Sequence, residues 1–223
     1  MLRMRTCAQT LYGTKDTSIR EHQSMRNLAI LIFQTLDGVM QAPSVPEEDF
    51  SGGFSHGGWA KDCWNEVMEQ VGREAMAEPY DLLLGRNTYN LFSSSFANVK
   101  PGDPAADKLN QAKKYVVTSG TDNLTWHNSF KLSGSDAAAE VVKIKEMEGP
   151  LLQVHGSWQL VQSLLKHNLV DELRLWTFPV VVGEGKRLFE SGEISSKYKL
   201  IKFEACPSGA FMHFYQPLDS GAV

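Results

Sequence analysis

Five short runs of near-continuous apolar sequence, separated by stretches of helical patterning, constrain this chain most. The runs are Leu28–Phe33, Asp81–Leu84, Tyr115–Thr118, Leu151–Val154 and Leu173–Phe178, rich in Val, Ile, Leu and aromatic residues. Strands that alternate apolar and polar side chains need only one covered face, whereas unbroken apolar runs require cover on both. Helices between the runs supply that cover. Trp59, Cys63, Trp64, Val67, Met68, Val71 and Ala75 fall on one apolar stripe. Ala137–Met147 is rich in Ala, Glu and Lys, with Val141, Val142 and Ile144 on its buried side. Trp158, Leu160, Val161, Leu164 and Leu165 define a further amphipathic helix with Ser157 placed to cap it. Tyr198–Cys206 and Ala210–Gln216 flank Pro207-Ser208-Gly209 and predict a terminal antiparallel hairpin. The expectation is one α/β domain over residues 27–218, with a mostly parallel sheet and helices on both faces. Residues 1–26 show neither helical nor strand period and no apolar leader core, and read as a mobile extension. The stretches 36–58 and 93–111, dense in Gly, Pro, Ser and Asp, read as long functional loops.

Composition excludes several classes. With 22 basic and 26 acidic residues the formal charge is −4, which offers no footprint for nucleic acid. The longest apolar run has six residues, far short of the roughly 20 needed for a membrane span, so no membrane partner is expected. Cys7, Cys63 and Cys206 are widely spaced and odd in number, giving no disulfide framework and fitting a cytoplasmic protein. The six His residues show no paired-ligand spacing, so no metal is expected. Gly183-Glu184-Gly185-Lys186-Arg187 lacks both the upstream Gly and the hydroxyl of a phosphate loop. No GxGxxG follows the first strand, and no GxSxG is present.

Ligands of open parallel sheets sit beyond the C-terminal strand ends, where helix N-termini point outward. Three junctions qualify. In Leu84-Gly85-Arg86-Asn87-Thr88, glycine permits close approach, and Arg86 and the Thr88 hydroxyl suit a phosphate. Thr118-Ser119-Gly120 offers two hydroxyls at a strand end, although that pattern is also ordinary turn chemistry. Val154-His155-Gly156-Ser157-Trp158 leads a buried strand into a helix start. His155 there reads either as a hydrogen-bonded structural residue or as a group titrating near neutrality.

These junctions, in this order, carry a resemblance. With Thr35-Leu36-Asp37-Gly38-Val39-Met40, Asn168-Leu169-Val170-Asp171-Glu172-Leu173 and Pro179-Val180-Val181-Val182-Gly183-Glu184-Gly185-Lys186-Arg187, the chain resembles the dihydrofolate reductase-like superfamily. Within it, the chain is similar to the riboflavin-biosynthesis reductase (RibD C-terminal) domain family over about residues 27–217. The resemblance implies a three-layer fold and an NADPH-dependent oxidoreductase reducing a C=N or C=O of a small heterocycle, pterin-like or a ribosylamino-pyrimidine phosphate. It implies phosphate contacts at Gly85, Arg86 and Thr88, an adenosine 2′-phosphate at Thr118 and Ser119, and a pyrophosphate at Gly156 and Ser157. It further implies a strained or cis peptide near His155–Gly156 and a loop after Asp37-Gly38 that closes over the nicotinamide. Two departures bear on substrate: Val39 stands where such reductases commonly carry Lys, and His155 where they commonly carry Glu. Asp37, Asp62 and His155 are the candidate proton donors or substrate anchors. A homodimer is expected, with Val170–Phe178 and the C-terminal strands as contact surfaces. The alternative reading is a non-catalytic nucleotide-binding or dimerising member of the same fold.

Overall fold

The computed structural model describes residues 25–190 and 196–218; of the extension expected over residues 1–26, residues 1–24, including Cys7, lie outside them. The strands are β1 (Leu28–Thr35), β2 (Tyr80–Gly85), β3 (Lys114–Thr118), β4 (Ser129–Ser133), β5 (Leu151–Val154), β6 (Glu172–Phe178), β7 (Tyr198–Ala205) and β8 (Phe211–Pro217). The helices are α1 (Glu66–Ala75), α2 (Arg86–Phe96), α3 (Pro104–Gln111), α4 (Ala137–Lys145) and α5 (Trp158–Lys166). All strands join one sheet in the order β4-β3-β2-β5-β1-β6-β8-β7. From β4 to β6 the pairing is parallel, and β8 and β7 complete the sheet antiparallel. The expected architecture, terminal hairpin included, is therefore observed.

Strand parity divides the core. Ile30, Leu83, Val154 and Leu173 pack with Val141 and Ile144 of α4 and with Leu160, Val161 and Leu164 of α5. On the other face, Leu82 and Leu84 pack with Tyr89 of α2 and Leu109 of α3, and Trp176 and Phe178 with Met68 and Val71 of α1. Every residue of β2 is buried, as its apolar run requires. Each of its leucines contributes about 2 kcal/mol relative to solvent exposure.

The N-terminal strand ends are held by charge. Arg26 Nη2 meets Asp81 Oδ2 at 2.6 Å with both side chains buried, and Lys145 Nζ meets Asp171 Oδ2 at 2.5 Å. Arg26, counted with the extension by sequence, is thus built into the sheet base.

Several local expectations are corrected. The apolar stripe from Trp59 does not form one helix. Trp64 is extended (φ −71°, ψ 133°), and Asn65 starts α1 by accepting from the amides of Val67 and Met68. Residues 93–111 are not a loop, because Asp103 caps α3 through the amides of Ala105 and Ala106 with Pro104 in its first turn. The edge strand β4 has no counterpart among the apolar runs. Val170–Phe178 cannot form a contact surface, since β6 lies between β1 and β8 with Leu173, Trp176 and Phe178 buried. Cys63 and Cys206 are free thiols. Among the described residues no helix is long and apolar enough to cross a membrane.

Candidate functional site

Because β2 and β5 are parallel neighbours, their C-terminal ends deliver two helix starts side by side. The Gly85 amide donates to Gly156 O at 3.1 Å, and the hydroxyls of Thr88 and Ser157 lie 3.2 Å apart. Glycine is required at both positions. A Cβ on Gly85 would stand 2.4 Å from Ser157 Oγ, and one on Gly156 would stand 2.8 Å from Thr88 Oγ1. Gly156 also has φ +132°, a region that disfavours other residues. The cis peptide is Gly156–Ser157, one bond beyond the expected position.

Beside them, β3 pairs with β2 so that Val117 stands opposite Gly85, which brings the Thr118–Ser119 turn to the same edge. Thr118 is buried and its hydroxyl accepts from the Gly120 amide at 3.1 Å, while Ser119 is exposed. The Arg86 guanidinium lies over the Tyr89 ring, 5.7 Å from its centroid, and 3.8 Å from Asp122 Oδ2. The three junctions therefore converge, with Thr88, Gly156 and Ser157 lining a cavity and Gly85, Arg86, Thr118 and Ser119 outside its lining.

Helix capping singles out two of these starts. Asn65, Asp103 and Asp136 cap α1, α3 and α4 with side-chain hydrogen bonds. At α2 and α5 the residue in the capping position makes none. Ser157, expected to cap α5, turns its hydroxyl to Thr88 instead, where it also receives a long 3.4 Å bond from the Thr88 amide. Two adjacent helix N-termini are left with amides available, and their dipoles add to a positive site suited to an anion.

The cavity encloses about 680 Å³. Leu31, Ile32 and Phe33 of β1 line it together with Asn87, Leu91 and Phe92 of α2, the turn 155–159, parts of the stretch 40–52, and Lys186. That stretch is fastened across the site. Gln41 Nε2 donates to Asp49 O and Ser51 O, and Gln41 Oε1 accepts from the Lys186 amide at 3.1 Å. Lys186 Nζ reaches Asp49 Oδ2 at 2.7 Å and Ser51 Oγ at 2.6 Å. Sequence reasoning dismisses residues 183–187 as a phosphate loop and assigns Lys186, Glu48 and Asp49 no role. The available signal was the acidic run Glu47-Glu48-Asp49 inside a Gly/Pro-rich stretch, with a cationic pair after Gly185 to answer it.

The structure separates the three candidate proton donors. Asp37 is a clamp outside the cavity lining: it accepts from Thr35 Oγ1 at 2.6 Å, the Gly183 amide at 2.9 Å and Arg187 Nη2 at 3.3 Å. Burial opposes its ionisation, but the Thr35 hydroxyl and the Gly183 and Val182 amides outweigh burial and hold its pKa down at about 2. Asp62 is exposed on a 3₁₀ turn, Lys61–Cys63, and does not line the cavity. His155 does line it. Burial, aided by the positive charge of Arg174, pulls its pKa down to about 4, so it is neutral at physiological pH rather than titrating there. Glu48 is the lining carboxyl that burial pushes up, against the opposing hydrogen bonds from Ser44. No group of three or more His, Cys, Asp or Glu among the described residues could hold a metal ion.

The family model of the RibD C-terminal domain matches residues 26–212. Uncharacterized protein YyaP of Bacillus subtilis is 29% identical over 166 residues, covering 73% of this chain and 88% of that protein. Among solved structures, a pyrimidine reductase-like protein from Corynebacterium diphtheriae aligns with a TM-score of 0.58 at 10% identity, over 89% of this chain and 94% of that one. Dihydrofolate reductase from Enterococcus faecalis, complexed with NADP(H) and RAB-propyl, aligns with a TM-score of 0.55 at 15% identity, over 88% of this chain and 98% of that one. At these identities the solved structures show a shared fold.

Proposed function

This chain belongs to the RibD C-terminal domain family, and from that membership and the site geometry we propose an NADPH-dependent reductase acting on a C=N or C=O bond of a flat heterocycle. The observation that carries the reading is the pair of adjacent helix starts at Gly85–Thr88 and Gly156–Trp158, whose own capping residues make no capping hydrogen bond. The two glycines let the turns pack directly against each other, which sets both helix starts at one edge, where a dinucleotide phosphate would meet them. Arg86 adds charge at the same edge, and Thr118 and Ser119 reach a 2′-phosphate from the neighbouring turn. NADPH supplies the hydride when bound. The apolar floor of Leu31 and Phe33 receives the heterocycle, and the Gln41–Lys186 fastening keeps the stretch 40–52 over it, excluding water. Glu48, with its raised pKa, remains protonated to higher pH than a solvated carboxyl and donates the proton. Exposed Leu200, Ile201, Phe203 and Phe211 on the terminal hairpin support pairing of two copies.

Tryptophan quenching tests the cofactor, since the chain has five Trp and Trp158 lines the cavity. Arg86→Ala is expected to weaken NADPH and NADH alike by roughly tenfold or more, the value of one hydrogen bond to a charged group. Ser119→Asp, which sets a like charge beside the 2′-phosphate, is expected to weaken NADPH alone. Unchanged affinities in Arg86→Ala would remove that residue from the phosphate site.

Glu48→Gln is expected to lower turnover by about a hundredfold at unchanged NADPH affinity, the usual loss for a positioned acid. In the wild type the rate should fall as pH rises through the raised Glu48 pKa, and the variant should lose that limb. Turnover is read as NADPH oxidation with a panel of pterins, flavin precursors and small carbonyls. Tight NADPH binding with no turnover across the panel favours the non-catalytic reading, which the withdrawal of Asp37 and Asp62 from the cavity supports.

A further inference from the structure

Two polar residues in the sheet are left over by the site as described. Gln153 is fully buried in β5, and Arg174 of β6 lies on the same sheet face, across β1 from it. Arg174 Nε donates to Glu172 Oε1 at 2.6 Å and its Nη1 donates to Gln153 Oε1 at 3.3 Å. A guanidinium only donates, so the amide oxygen must face it and the amide nitrogen must face the other way. That nitrogen lies 2.8 Å from His155 Nε2. Two donors cannot share this contact. Nε2 is therefore the accepting nitrogen, and in the neutral ring the proton resides on Nδ1.

Nδ1 makes no hydrogen bond within the described residues. It is not sealed away either, because Trp176 Nε1 is the one buried side-chain nitrogen or oxygen among them without a partner. Since His155 lines the cavity, with the Phe92 ring 5.4 Å from its own, Nδ1–H is open to a ligand there.

We propose that Gln153 and Arg174 are positioning residues that lock His155 in its Nδ1–H tautomer, so that the cavity selects heterocycles presenting a carbonyl oxygen rather than an amino group to that position. Among the described residues the charged groups along this chain of contacts are Arg174 and Glu172, and the Arg174 charge disfavours imidazolium. The ligand half rests on the heterocycle site proposed above, whereas the tautomer does not.

¹⁵N-histidine NMR of the full chain decides the tautomer, with the His155 signals identified by their loss in His155→Gln. The wild type is expected to show a protonated Nδ1 and a bare Nε2 from about pH 5 to 8. A protonated Nε2 in that range overturns the proposal, whatever becomes of the variants. Gln153→Glu turns the donor into an acceptor for both Arg174 and the ring, and should place a proton on Nε2; a folded variant that keeps Nε2 bare also overturns it. Binding of a pteridine-dione should exceed that of a diaminopteridine by about tenfold in the wild type, since a mismatched buried donor loses its bond. Gln153→Glu should reverse the order. A wild-type preference for the diamine overturns the ligand half. NADPH affinity enters none of these readouts, so failure of the cofactor assignment and failure of this inference are separable.

Discussion

Gly85→Ala is expected to abolish measurable NADPH binding and to lower thermal stability together. The added Cβ would meet Ser157 at 2.4 Å (Oγ), 2.9 Å (Cβ) and 3.0 Å (backbone N). Backbone φ is ordinary at −75°, so the penalty is steric rather than conformational. Overpacking of this kind costs about 1–3 kcal/mol, because it must push one strand end away from the other. The same displacement opens the two helix starts, and a dinucleotide held by both would lose roughly a hundredfold or more in affinity through misplacement alone. Adding Ser157→Gly removes two of the three clashing atoms and should recover most of the melting temperature. Binding should recover less, since the Ser157 hydroxyl is absent. If Gly85→Ala binds NADPH as the wild type does, the junctions do not grip one ligand.

Asp81→Ala is expected to be the most destabilising single change at the sheet base, by about 3–5 kcal/mol, because it leaves a charge buried without its partner. The Arg26 side chain is only 2% exposed and would keep one hydrogen bond, from Nε to Pro150 O at 2.8 Å, and its place over the Tyr115 ring. For a domain of this size the loss corresponds to a fall in melting temperature of roughly 10–15 °C. Replacing both partners, Arg26→Met with Asp81→Leu, should restore most of it, as apolar pairs of similar volume commonly match buried ion pairs. A melting point unchanged in Asp81→Ala would mean that Arg26 finds water, and that the sheet base is open.

Legibility in the sequence followed the source of each constraint. The buried strands were readable because leucines at 82, 83 and 84 have few options except a covered strand. The helix α3 was obscured because Pro101, Gly102 and Pro104 resemble loop composition, although Asp103 followed by Pro104 is itself a helix-start pattern. Strand β4 was missed because only Leu132 among its residues is buried, which leaves almost no apolar signal at an edge. Of the ten residues singled out for the site, the glycines and hydroxyls at strand ends survive as a convergent group. Among the acidic and histidine candidates, Asp37 and Asp62 are displaced from the cavity and His155 changes from an acid to a neutral ring.

Sequence alone determined the alternation of strand and helix and the three glycine-bearing turns, because burial period and backbone freedom are properties of adjacent residues. Tertiary structure decided which groups do chemistry. Whether a carboxyl is a clamp or an acid depends on donors brought from far along the chain: Gly183 and Arg187 saturate Asp37, while Glu48 meets only near neighbours in sequence, Ser44, Val45 and the like charge of Asp49, besides the desolvation of the cavity wall. The tautomer of His155 likewise depends on Arg174, two strands away, and no local pattern encodes the direction of a buried amide.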